Sequence, residues 1–158
     1  MKSLIIFIGI CVLFACKTKQ NSEAESSVNT TPVSESEITN REYPSLNIVA
    51  VIGDLPVESK NVQILKSKIE DNNLILKIGY SGGCSTHEFE FIGSSMISKS
   101  LPPIRSVKLI HRTDDTCREY IERQIVIDLK ELAYKKEAGS QIKLNIGANE
   151  GQLVYTYH

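Results

Sequence analysis

From Pro44 to the C-terminus, apolar and polar side chains alternate with period two, in short runs cut by Gly, Pro, Asn and Asp. That pattern suits half-buried strands and leaves little room for helices. Runs are predicted at 46–52, 62–70, 74–80, 87–91, 104–111, 118–127, 141–146 and 152–157. Asp71-Asn72-Asn73, Gly82-Gly83, Pro102-Pro103 and residues 147–151 supply the turns, with 94–103 a loop. Residues 128–136 (DLKELAYKK) would make one short helix. Seven or eight strands with turns every 8–12 residues predict an all-β domain, an antiparallel sandwich or small barrel, over 44–158.

The N-terminus follows another logic. Lys2 precedes twelve mostly apolar residues, Leu4 to Ala15, a helix of roughly 18 Å against a bilayer core of ~30 Å. This is a secretory leader rather than a span. It ends in Leu13-Phe14-Ala15-Cys16, which resembles the lipobox of bacterial lipoproteins. There the cysteine thiol receives a diacylglycerol and the leader is removed. The resemblance implies a signal peptide over 1–15, lipidation at Cys16 and attachment to a membrane by the lipid. Two or more acyl chains anchor a protein stably, where one holds it only marginally. The rival reading is an ordinary secretory leader with Cys16 as a spare thiol.

Residues 17–42 are rich in Ser, Thr, Asn and Glu and nearly free of large apolar side chains. Such a segment cannot offset its ordering entropy, so 16–43 is expected to be a disordered tether. Removing the leader takes away Lys2 and no acid, which leaves a side-chain charge of −2. That excludes the basic footprint of a nucleic-acid binder. Lys17 follows Cys16, with no Asp to suggest retention at an inner membrane, so the outer membrane is expected, facing periplasm or cell surface.

Of four cysteines, Cys11 goes with the leader and Cys16 takes the lipid, leaving Cys84 and Cys117 in an exported chain. Each lies near one histidine, in Cys84-Ser85-Thr86-His87 and in His111-Arg112-Thr113-Asp114-Asp115-Thr116-Cys117. Strand parity puts His87 on the face of Phe89 and Phe91, and His111 on the face of Val107 and Leu109. Both rings should point inward, close to the cysteine-bearing turns.

Three chemistries fit this constellation. A Cys84–Cys117 disulfide, with the histidines hydrogen-bonded at the core's rim, would close a span of 33 residues and contribute about 3–4 kcal/mol. A metal site of Cys84, His87, His111 and Cys117 would suit tetrahedral Zn or Cu(I). A hybrid keeps the disulfide and binds a metal weakly through His87, His111 and Asp114 or Asp115. A third reading makes one cysteine a nucleophile, its neighbouring histidine the base and the Gly82-Gly83 amides an oxyanion hole. Asp114-Asp115 otherwise reads as a solvated turn, and Tyr155 with Tyr157 as sheet packing. No glycine-rich phosphate loop, GxSxG elbow or HExxH is present in the sequence.

Tyr80-Ser81-Gly82-Gly83-Cys84-x-x-His87-x-Phe89-x-Phe91, with Leu109-Ile110-His111 and Asp115-x-Cys117, resembles small lipoproteins of the Bacteroidota. The chain is similar in style to the NigD-like lipoproteins of that group. The resemblance covers roughly residues 62–135 and implies an all-β envelope protein marked at Cys84, His87, His111 and Cys117. It implies no reaction, cofactor or partner. The expectation is therefore a lipid-anchored binding or scaffolding domain that is not an enzyme, needs no cofactor and meets an envelope protein or ligand. The alternative is a Zn- or Cu-binding lipoprotein.

Overall fold

The computed structural model describes residues 43–147 and 151–158. The leader over 1–15, the lipidation at Cys16 and all of the 16–43 tether except Tyr43 lie outside the described residues, as do 148–150. Tyr43 packs against the core.

The described residues form nine strands: β1 (Leu46–Val49), β2 (Val51–Gly53), β3 (Gln63–Glu70), β4 (Asn73–Gly82), β5 (Glu88–Ser98), β6 (Ile104–Arg112), β7 (Glu119–Asp128), β8 (Gln141–Gly147) and β9 (Gly151–Thr156). One sheet has the order β1-β7-β4-β3 and the other β2-β5-β6-β8-β9. The sheets form an open sandwich, not a closed barrel.

Alternation places Leu74, Leu76 and Ile78 of β4 and Ile121, Ile125 and Ile127 of β7 on one inner face. Phe89 and Phe91 of β5, Val107 and Leu109 of β6, and Ile142 and Leu144 of β8 meet them, all buried. Burying each such side chain is worth roughly 1.5–3 kcal/mol, and the apolar stripe on every strand sets its register.

The pairing departs from the antiparallel expectation in three places. β1 runs parallel to β7, β2 parallel to β5, and β6 parallel to β8 over Ile104–Ser106. Period two fixes which face a residue takes but says nothing of strand direction. The run expected as one strand over 46–52 breaks at buried Ala50, whose N–H donates to the Asp128 carbonyl at 2.9 Å. Its first half edges one sheet and its second half edges the other.

Two local expectations also change. The 94–103 loop is strand as far as Ser98, with a bulge between Gly93 and Ile97. The 128–136 helix is a single 3-10 turn at Lys130–Leu132, because one turn already seats Leu129 and Leu132 in the core and Ala133 then extends at ψ 145°. At the other end of β6, residues 108–111 have no strand beyond them on the β8 side among the described residues. Lys60 N–H donates to the His111 carbonyl at 2.9 Å, and His111 N–H donates to Ser59 Oγ at 3.0 Å. The 56–60 segment thereby covers an edge that would otherwise be open.

Candidate functional site

The site lies where β4 ends, β5 begins, β6 ends and β7 begins. Antiparallel pairing sets Phe89 opposite His111 on β5 and β6, and Gly82 opposite Glu119 on β4 and β7. Those two registers bring the segments 83–87 and 113–118 together, which strand parity alone does not imply. Cys84 and Cys117 are joined by a disulfide, with Cα atoms 5.9 Å apart.

Both histidines point inward. His111 is 1% exposed, and the His87 side chain is 6% exposed. Phe89 stacks on His111 at 4.7 Å between centroids, and Tyr80 meets His87 and His111 at 4.8 and 5.1 Å. Glycine at 82 makes room for this, since a Cβ there would collide with the His87 ring.

The residue that sequence reasoning misjudged is Asp115. Asp114 is exposed, as a solvated turn should be, but the Asp115 side chain is only 1% exposed. Its Oδ1 accepts the Cys117 N–H, and its Oδ2 accepts the N–H groups of Cys84 and Ser85, each at 2.8 Å. Oδ2 also lies 3.2 Å from His87 Nε2. The Thr113 hydroxyl reinforces the junction, donating to the Thr86 carbonyl at 2.8 Å and accepting the Asp115 N–H at 3.0 Å. These donors, led by the Cys117 amide, hold the Asp115 carboxyl far below the usual carboxylate range. The local signal was Asp-x-Cys, in which a carboxylate caps the amide two residues on. The amides of Cys84 and Ser85 arrive from 30 residues or more away and leave no such trace.

A relay follows from these contacts. His87 Nε2 reaches the Asp115 carboxylate and His87 Nδ1 lies 2.9 Å from His111 Nε2, so the carboxylate and the two rings form one hydrogen-bonded chain. His111 Nδ1 is buried and makes no hydrogen bond of standard geometry among the described residues. Burial pushes the His111 pKa down, the neighbouring His87 and Lys60 charges act the same way, and the Asn61 backbone carbonyl opposes them.

The structure brings all four residues singled out in the sequence together with Tyr80 and with Asp115, the one of the two candidate aspartates that reaches His87. With both sulfurs in one bond, neither is a thiolate, so in this form they serve neither as metal ligands nor as a nucleophile. Cys84 is exposed, and Cys117 lines a cavity of about 270 Å³ together with Lys60, Gln63, Tyr80, His111 and Asp115. At the far end Tyr155 packs in the core as expected, its hydroxyl donating to Asn72 Oδ1 at 2.7 Å.

No protein-family model and no curated protein matches the chain. Among solved structures it is similar to a protein of unknown function, DUF1344, from Bacteroides vulgatus, with TM-score 0.49 and 15% identity over 73% of this chain and 57% of that one. It is also similar to a NigD-like immunity protein from Bacteroides caccae, with TM-score 0.49 and 13% identity over 69% of this chain and 58% of that one. The chain thus spans less than two thirds of the length of either protein.

Proposed function

We propose that this chain is an exported lipoprotein, acylated at Cys16, whose β-sandwich is a non-enzymatic binding or scaffolding module in the outer membrane of the cell envelope. The observation that carries the reading is the Cys84–Cys117 disulfide. Such bonds form and persist in oxidising compartments and are rare where glutathione and thioredoxin keep thiols reduced. It therefore agrees with the leader and lipobox at the other end of the chain. The module gains from this chemistry too, since the disulfide and the Asp115 hydrogen bonds fix two loops at one end of the sandwich. Loops held rigid by a scaffold are a common way to present a binding surface.

The test is metabolic labelling of cells with an alkyne fatty acid, followed by fractionation and intact mass of the recovered chain. The expected product starts at residue 16, carries the label and sediments with membranes, whereas Cys16→Ser is unlabelled. A full-length, unlabelled chain in the cytosol with both remaining sulfurs as free thiols would overturn the reading.

A further inference from the structure

The Asp115 carboxylate holds the backbones of Cys84 and Cys117 side by side through their own N–H groups, independently of the sulfur–sulfur bond. Opening that bond removes one restraint and leaves the carboxylate clamp in place. The two sulfurs and a carboxylate oxygen of Asp115 all lie within 4.8 Å of one another. From this geometry we infer that reduction of Cys84–Cys117 creates a binding site for a borderline-soft divalent cation of the Zn²⁺ type, with Cys84 Sγ, Cys117 Sγ and an Asp115 oxygen as its ligands.

The chemistry of the donor set fits. Two thiolates and one carboxylate are ordinary ligands for Zn²⁺, which takes four in tetrahedral geometry. Oδ1 of Asp115 accepts one N–H, from Cys117, and keeps a lone pair free. Cys117 and Asp115 both line the 270 Å³ cavity, which has room for a water as fourth ligand. His87, bonded to the other carboxylate oxygen, orients Asp115 in the way that outer partners orient metal ligands. His111 lies outside the set, because the ligand atoms found within 4.8 Å of one another among the described residues are those of Cys84, Asp115 and Cys117. The set therefore differs from the Cys₂His₂ arrangement that the sequence suggests.

Reduction proceeds by exchange with an external dithiol. Its thiolate attacks one sulfur, the reagent then closes its own disulfide, and Cys84 and Cys117 are released as thiols after transfer of two electrons and two protons. Exposure of Cys84 gives such a reagent access. Binding of the cation displaces the two thiol protons to solvent. The inference stands on the geometry of the site and is independent of how the chain is anchored.

The experiment uses the full chain in non-ionic detergent, either oxidised or reduced with a dithiol that is then removed without air, and titrated with Co²⁺ as a spectroscopic stand-in. The reduced chain should take up one Co²⁺ with an intense near-ultraviolet thiolate-to-cobalt band that Zn²⁺ abolishes by displacement. Its far-ultraviolet strand signal should be unchanged. The oxidised chain should show no band, Cys84→Ser/Cys117→Ser none, and Asp115→Asn binding weaker by about tenfold or more. Absence of the band after reduction, equal uptake by the oxidised chain, or uptake only with loss of the strand signal would each overturn the inference. The oxidised and reduced forms of the unaltered chain decide the matter even if a variant fails to fold.

Discussion

His87 Nδ1 lies 2.9 Å from His111 Nε2, so a single hydrogen bond joins the two rings. Around them Asp115 accepts from His87, Lys60 charge lies near His111, and Tyr80 and Phe89 close the aromatic box.

Stability should fall in mild acid on account of His111. Its pKa is lowered in the folded protein, first by burial, so below the unfolded value of about 6.5 the unfolded chain binds a proton that the folded chain resists. Stabilisation from this group is thus fully present above about pH 6.5 and declines as pH falls toward the lowered folded value. A second decline, from Asp115, begins below about pH 4, because its folded pKa is lowered too. Urea midpoints measured from pH 8 to pH 3 should show two steps, and His111→Phe should flatten the first. A midpoint constant between pH 7.5 and 5 would contradict the assignment.

Removing the Asp115 carboxylate should cost more than its place in a polar turn suggests. Asp115→Ala strips the acceptor from three backbone N–H groups and from His87 at once. Thermal unfolding should shift down by roughly 5–10 °C. Asp115→Asn keeps one acceptor oxygen and should lose less, whereas Asp114→Asn should change nothing measurable.

Replacing both cysteines by serine should lower stability by about 3–4 kcal/mol in the chain-entropy model for a separation of 33 residues. The variant should still give the strand signal, because the Asp115 hydrogen bonds remain. Urea denaturation of the double variant beside the oxidised parent measures the difference. A loss under about 1 kcal/mol would mean the loops are already held together in the unfolded chain.

Gly82→Ala tests the room made for His87. A Cβ at 82 meets the imidazole ring, with Asp115 Oδ2 next at 3.2 Å, so the ring must move and its bond to Asp115 must stretch. Overpacking of this kind costs roughly 1–3 kcal/mol. In proton spectra the His87 ring resonances should shift more than those of any residue on β8 or β9.

How far the sequence discloses this molecule depends on what each signal encodes. Alternation of Phe89, Phe91, Val107 and Leu109 tells which way His87 and His111 face, and the cysteine count offers the Cys84–Cys117 bond as one of three chemistries. Direction is not encoded: nothing in Leu46 to Ile52 distinguishes one antiparallel strand from two parallel edges in different sheets. Leu129 and Leu132, three apart, satisfy a 3-10 turn and an α-helix alike. Asp115 was hidden for a deeper reason. Three of its four donors are a backbone amide pair and a side chain brought by the fold, while its neighbour Asp114 is the solvated residue its composition suggests.

The break at Ala50 has a mechanical corollary. Residues 46–53 are hydrogen-bonded to one sheet before Ala50 and to the other after it. Drawing the leading end out therefore breaks pairing with β7 in one sheet and with β5 in the other. A domain stitched this way resists being drawn out from its leading end.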